Sequence, residues 1–138
     1  MIINYSNIVS SYKKTFFSFS ENDKFSKKVK ENKIPNSFGV YILYKNQKSY
    51  ENIIYIGKAG EFKNDGTSKS QGLSGRLTNS RNITANKYFK SLFSKEINEI
   101  ILECFETPTE MFPSFIEASL IQEYFLKFEK LPMLNKSF

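Results

Sequence analysis

Apolar and polar positions change period several times along this chain, and each change marks an element. Residues 38–45 are dense in β-branched and aromatic types and predict a strand. The polar stretch 46–52 suits a hairpin turn, and 53–58 predicts the returning strand. In such a hairpin, positions 39, 41 and 43 share one face, as do 53, 55 and 57. Tyr41 and Tyr55 therefore project to the same side if the register allows, with Gly39 and Gly57 leaving room beside them. Glycine within a strand often marks close approach of a ligand or another backbone. Residues 100–105 predict a third strand.

Helical spacing appears elsewhere. Residues 72–81 predict a helix with Leu73 and Leu77 inward and Arg76 beside that inner face. Residues 86–97 predict another, with Tyr88, Leu92 and Phe93 inward. Near the start, Tyr5, Ile8, Val9, Tyr12, Phe16 and Phe19 recur at helical spacing, and Ser20 with Asp23 could cap a second short helix ending before Pro35. Residues 1–37 thus read as an N-terminal helical arm, and 38–138 as the core of a single domain. The polar loop 59–72, rich in Gly, Ser and Lys, is long for a compact domain, as functional loops often are.

The last helix, predicted over 114–130, carries the sharpest local anomaly. Its apolar face holds Ile116, Leu120, Ile121, Tyr124, Phe125 and Phe128, and Glu117 falls in the middle of that stripe. An inward carboxylate is costly unless it is paired or binds a metal. A pairing with a Lys or Arg, Arg76 among the candidates, and a metal site are the two readings. Glu110, Glu123 and Glu129 fall away from the centre of the face and read as solvated.

Composition narrows the chemistry. The 138 residues include no histidine, which excludes Ser-His-Asp and Cys-His catalysis, HNH-type nucleases and His-ligated metal sites. A general base must then come from Tyr, Lys, Asp or Glu. The single cysteine, Cys104, permits neither an intrachain disulfide nor a cysteine-rich zinc module and fits a reducing interior. No apolar run has the length of a membrane span, and Asn4, Ser6 and Asn7 break up the N-terminus as a signal peptide, so the chain reads as soluble and cytoplasmic.

The net charge of +6 is unevenly spread. Residues 1–37 carry seven lysines against three acids, 38–95 ten basic residues against three acids, and 96–138 three lysines against eight acids. A one-sided positive field suits a polyanion, although a lysine-rich codon bias would give the same excess. The candidate nucleic-acid contacts are Lys24, Lys27, Lys28 and Lys30 in the arm, with Lys63 and Lys69 in the loop.

Taken together, Gly39-Val40-Tyr41, Tyr55-Ile56-Gly57 followed by Lys58, Gly75-Arg76-Leu77, Glu117, and then Pro132 and Asn135 resemble the GIY-YIG nuclease superfamily. Val40 replaces the usual isoleucine of the first string, and the second string is intact. The resemblance covers 38–138 and is nearest to stand-alone, restriction-type members. It implies a mixed α+β fold, a small three-stranded antiparallel sheet flanked by helices. It also implies that Tyr41 and Tyr55 are the motif tyrosines, Arg76 the catalytic arginine, Glu117 the metal-binding glutamate and Asn135 the C-terminal asparagine. Lys58 stands where several members carry a basic residue. A histidine present in many members is missing, so its role is absent or falls to Lys58 or a tyrosine.

The implied activity is endonucleolytic hydrolysis of DNA phosphodiester bonds, with one Mg²⁺ or Mn²⁺ on Glu117 and Arg76 forking onto the phosphate. A tyrosine, with Tyr41 the preferred one, would act as base, and Tyr55 would position water or phosphate. Double-stranded DNA is the expected partner, and a homodimer would suit cutting both strands of a palindrome. The alternatives are a catalytically inactive nucleic-acid-binding module and a nuclease for RNA or branched DNA.

Overall fold

The computed structural model describes residues 6–66, 72–78 and 91–136. Its centre is a four-stranded antiparallel sheet in the order β1-β4-β2-β3, built from β1 (Lys14–Phe19), β2 (Gly39–Lys45), β3 (Ile53–Ala59) and β4 (Ile100–Glu106). The described helices are α1 (Ser6–Val9), α2 (Phe25–Glu31), α3 (Leu73–Thr78) and α4 (Pro113–Phe128), with a 3₁₀ turn at Tyr50–Asn52. The α+β class matches the sequence reading. Among the described residues no helix is long and apolar enough to cross a membrane.

The strand count differs from expectation, four rather than three, because part of the N-terminal arm joins the sheet. Residues 14–19 form a strand, not a helix, and pair with β4 from Lys14 opposite Phe105 to Phe19 opposite Ile100. Phe17 and Phe19 are buried while Phe16 and Ser18 are exposed, the two-residue alternation of a strand. Among the described residues of the expected first helix, 6–9 are helical. The second short helix does form as α2, but Ser20 and Asp23 do not cap it. They bond each other in a preceding turn, with the Ser20 N–H donating to Asp23 Oδ2 at 2.9 Å, while Lys24 takes the cap position.

Two apolar layers cover the sheet. Face one carries Tyr41, Leu43, Leu102, Phe17 and Phe19 and is covered by Phe25 and Val29 of α2 and Leu73 and Leu77 of α3. Face two carries Val40, Ile42, Ile56 and Phe105 and is covered by Ile116, Leu120, Ile121 and Tyr124 of α4, with Val9 of α1. β2 is buried along nearly its whole length, which is why it reads as a continuous apolar run rather than an alternating one.

Other boundaries shift. Phe125, placed on the apolar face of the last helix by its spacing, is 46% exposed. Beyond the C-terminal end of the inner stripe, the helix stops when Glu129 turns left-handed (φ 58°). In the segment expected as a helix over 86–97, Ser91 and Leu92 are helical but 93–97 are not, and 86–90, with Tyr88, lie outside the described residues. The same holds for 79–81 at the end of the helix that carries Arg76.

Candidate active site

Arg76 sits on α3, described over Leu73–Thr78. The segment before β2 fixes its start. The Leu73 N–H donates to Ser37 O at 2.8 Å, Ser74 to Pro35 O at 3.0 Å, and Gly75 to the Asn36 side-chain oxygen at 2.9 Å. Three of the N–H groups that a helix start leaves open are thereby satisfied. Gly72 makes the approach feasible, since a Cβ there would overlap the Asn36 carbonyl. Leu73 and Leu77 anchor the other side in the core, so Arg76 is held over face one of the sheet.

The two tyrosines share that face. The hairpin register sets Tyr41 opposite Gly57 and Leu43 opposite Tyr55, so the phenols are diagonal neighbours, with ring centroids 6.0 Å apart. Gly57 is what lets them meet: a Cβ there would lie 2.6 Å from Tyr41 Cζ and 2.7 Å from Tyr55 Cε2. Gly39 does not adjoin the phenols as expected; it faces Leu73 and the Phe105 carbonyl.

Their exposures differ sharply. Tyr41 is 0% exposed, and its hydroxyl makes no hydrogen bond of good geometry among the described residues. Burial, and then the neighbouring Tyr55, push its pKa well above the ordinary phenol value, and Arg76 draws it only partly back. Tyr55 is half-buried and reaches a pocket of about 200 Å³ lined by Tyr55, Lys58, Ala59, Gly60, Glu61, Arg76 and Glu117. The sequence-based preference is for Tyr41 as the reactive phenol; in the structure Tyr41 is closed off and Tyr55 is the phenol that lines the pocket.

The pocket wraps around the end of the edge strand β3. Tyr55 and Arg76 enter from face one, Lys58 and Glu117 from face two. Glu117 lies near the start of α4 and is half-buried. Burial raises its pKa, while Lys58 and then Arg76 pull it down. Among the described residues it forms no ion pair, so the structural alternative of a Glu117–Arg76 bridge is not what the molecule adopts. Lys58 pairs instead with Glu61 at 3.3 Å.

A second inward carboxylate shows what a partnered one looks like. Glu103 on β4 is 5% exposed, accepts a 2.8 Å hydrogen bond from the Tyr44 hydroxyl, and is bridged by Lys48 at 3.3 Å and Lys14 at 3.8 Å. Its burial is offset by fixed donors. Glu117 has no such set. It therefore offers a carboxylate to a cation, and one carboxylate suits Mg²⁺ or Mn²⁺, which keep waters and take substrate phosphate oxygens as further ligands. No cluster of three or more acidic or cysteine side chains occurs among the described residues, so an all-protein cage of the kind Ca²⁺ favours does not fit.

Asn135 belongs to the frame of the site rather than to its lining. Its side-chain NH₂ donates to Ile56 O at 2.9 Å and its oxygen accepts the Ile56 N–H at 3.0 Å, while the Leu134 N–H donates to Ile54 O at 2.8 Å. The C-terminal segment thus clips the free edge of β3 on either side of Tyr55. The lysines divide. Lys24, Lys27, Lys28 and Lys30 lie on or at the start of α2, which packs beside α3 but does not line the pocket. Lys63 is exposed immediately next to it, and Lys69 lies outside the described residues.

Sequence reasoning missed Asn36, Gly60 and Glu61. Gly60 ends β3 at φ +106°, and a Cβ there would strike the Phe38 ring. A glycine straight after a strand carrying Tyr55 and Lys58 was the available signal for a turn at the site. No family model, curated protein or solved structure matches the chain.

Proposed function

We propose that the chain is a divalent-metal-dependent DNA endonuclease of the GIY-YIG type. The observation that carries this reading is the meeting of Tyr55, Lys58, Arg76 and Glu117 in one pocket, although they lie on three elements and on both faces of the sheet. Four residues that the motif resemblance selected independently of one another line a cavity of about 200 Å³.

The residue types suit phosphodiester hydrolysis. Arg76 offers a planar fork to two non-bridging phosphate oxygens, where charge builds as water adds to phosphorus. Lys58 adds a second positive charge at the same wall. Tyr55, as its phenolate, orients the attacking water and takes its proton to become the neutral phenol, a role that histidine cannot fill in this chain. Glu117 would hold Mg²⁺ or Mn²⁺, which supplies Lewis-acid stabilisation of the departing 3′ oxygen. Tyr41 backs the Tyr55 ring and faces Arg76, so it positions both without touching substrate.

The test is incubation with supercoiled plasmid. Nicked and linear products are expected with Mg²⁺ or Mn²⁺ and none in excess EDTA. Undiminished cutting in EDTA would exclude the metal role of Glu117.

A further inference from the structure

A second depression, of about 540 Å³, opens beside the pocket, within the ~300–1,000 Å³ range of small-molecule sites. The two share Lys58, Gly60 and Glu61. Its wall is aromatic. Phe62 and Phe112 pack with ring centroids 5.2 Å apart, and Phe38 supports Phe62 edge-on at 5.5 Å. Phe112 is nevertheless 57% exposed, with Lys63 in the same lining.

Exposed rings packed on one another, with a lysine beside them and a phosphate-suited pocket next door, have the make-up of a single-strand nucleic-acid platform. Flat rings take the faces of bases, and cations take the backbone. In a fully paired duplex both faces of every base are already stacked, so such a wall is of use only to a nucleotide that has left the stack. Resting on the endonuclease reading above, we propose that Phe112 and Phe62 stack the base of an unpaired nucleotide flanking the scissile phosphate. The preferred substrate is then DNA with an unpaired nucleotide at the cut, such as a bulge, flap or junction, rather than uniform duplex. Stacking reads the face of a base and not its edges, so the preference is for structure more than for sequence.

Binding in EDTA separates this from the chemistry. Two duplexes of equal length are compared, one fully paired and one with a single unpaired 2-aminopurine nucleotide, whose fluorescence responds to a change of stacking partner. The unpaired duplex should bind about 5- to 150-fold more tightly, with a change in that fluorescence. Phe112→Ala should erase both effects, and so should Phe112→Leu, which keeps apolar bulk and removes the flat ring. Phe125→Ala, about 20 Å away along the same helix, should preserve both. Equal affinity for the two duplexes, or a preference that survives both Phe112 variants, would overturn the proposal. So would sedimentation showing that Phe112→Ala only splits a dimer of this chain and leaves DNA binding intact. A retained preference without Mg²⁺-dependent cutting would remove the nuclease and keep the platform; cutting without preference would do the reverse.

Discussion

Tyr41 and Tyr55 are chemically identical and pack together, and in the proposed reaction burial alone would give them different tasks. The Tyr41 hydroxyl is closed off and its pKa is driven up, so ionising it at working pH is prohibitive. Tyr55→Phe should therefore lower the cleavage rate about 10²–10⁴-fold, the range of a positioned acid–base group. Tyr41→Phe should cost about tenfold or less, through looser positioning of Arg76 and Tyr55. Single-turnover rates for both variants check this, and the opposite ranking would restore Tyr41 as the base. Lys58 allows a test of sign. It lowers the pKa of Glu117, whose carboxylate must be ionised to hold a cation. Lys58→Met should raise that pKa and move the acid limb of the rate–pH profile to higher pH. A limb that stays put or moves down would separate Lys58 from Glu117.

Among the elements, the free edge of β3 is the exposed flank of the site, and Asn135 closes it with two hydrogen bonds to Ile56. Asn135→Ala should destabilise the fold by about 1–3 kcal/mol, because it leaves the Ile56 N–H and C=O without protein partners. Urea unfolding measures this. Full stability with no activity would instead make Asn135 a catalytic group. This role was not legible in the sequence, since it depends on which strand ends up at the edge and where the chain returns. The β2–β3 hairpin was legible because Tyr41, Leu43, Tyr55 and Gly57 obey a local period of two. β1 was not: Phe16, Phe17 and Phe19 satisfy both helical and strand spacing, and pairing with β4, more than 80 residues away, decides between them. Glu117 was legible as a carboxylate on an apolar stripe, whereas Glu103 was not, because its partners Tyr44, Lys48 and Lys14 come from other strands and a turn.

At the scale of the whole molecule, the site is where the two layers meet around one edge of the sheet. Face one contributes Tyr55 and Arg76, and face two Lys58 and Glu117, so neither layer alone forms it. The start of α3 is held by the Pro35 and Ser37 carbonyls and the Asn36 side chain, which ties the N-terminal segment to the arginine as well as to the sheet. That segment is therefore built into the core through β1 and α2, rather than appended to it.

The most direct measurement compares wild type with Glu117→Gln on the same labelled DNA, recording binding and Mg²⁺-dependent cleavage side by side. The variant removes one negative charge from the pocket and leaves every lysine in place. The expected result is unchanged or slightly tighter binding, with cleavage reduced by several orders of magnitude and not restored by raising Mg²⁺. A folded Glu117→Gln protein that cuts at the wild-type rate would contradict the assignment of this pocket as the catalytic site.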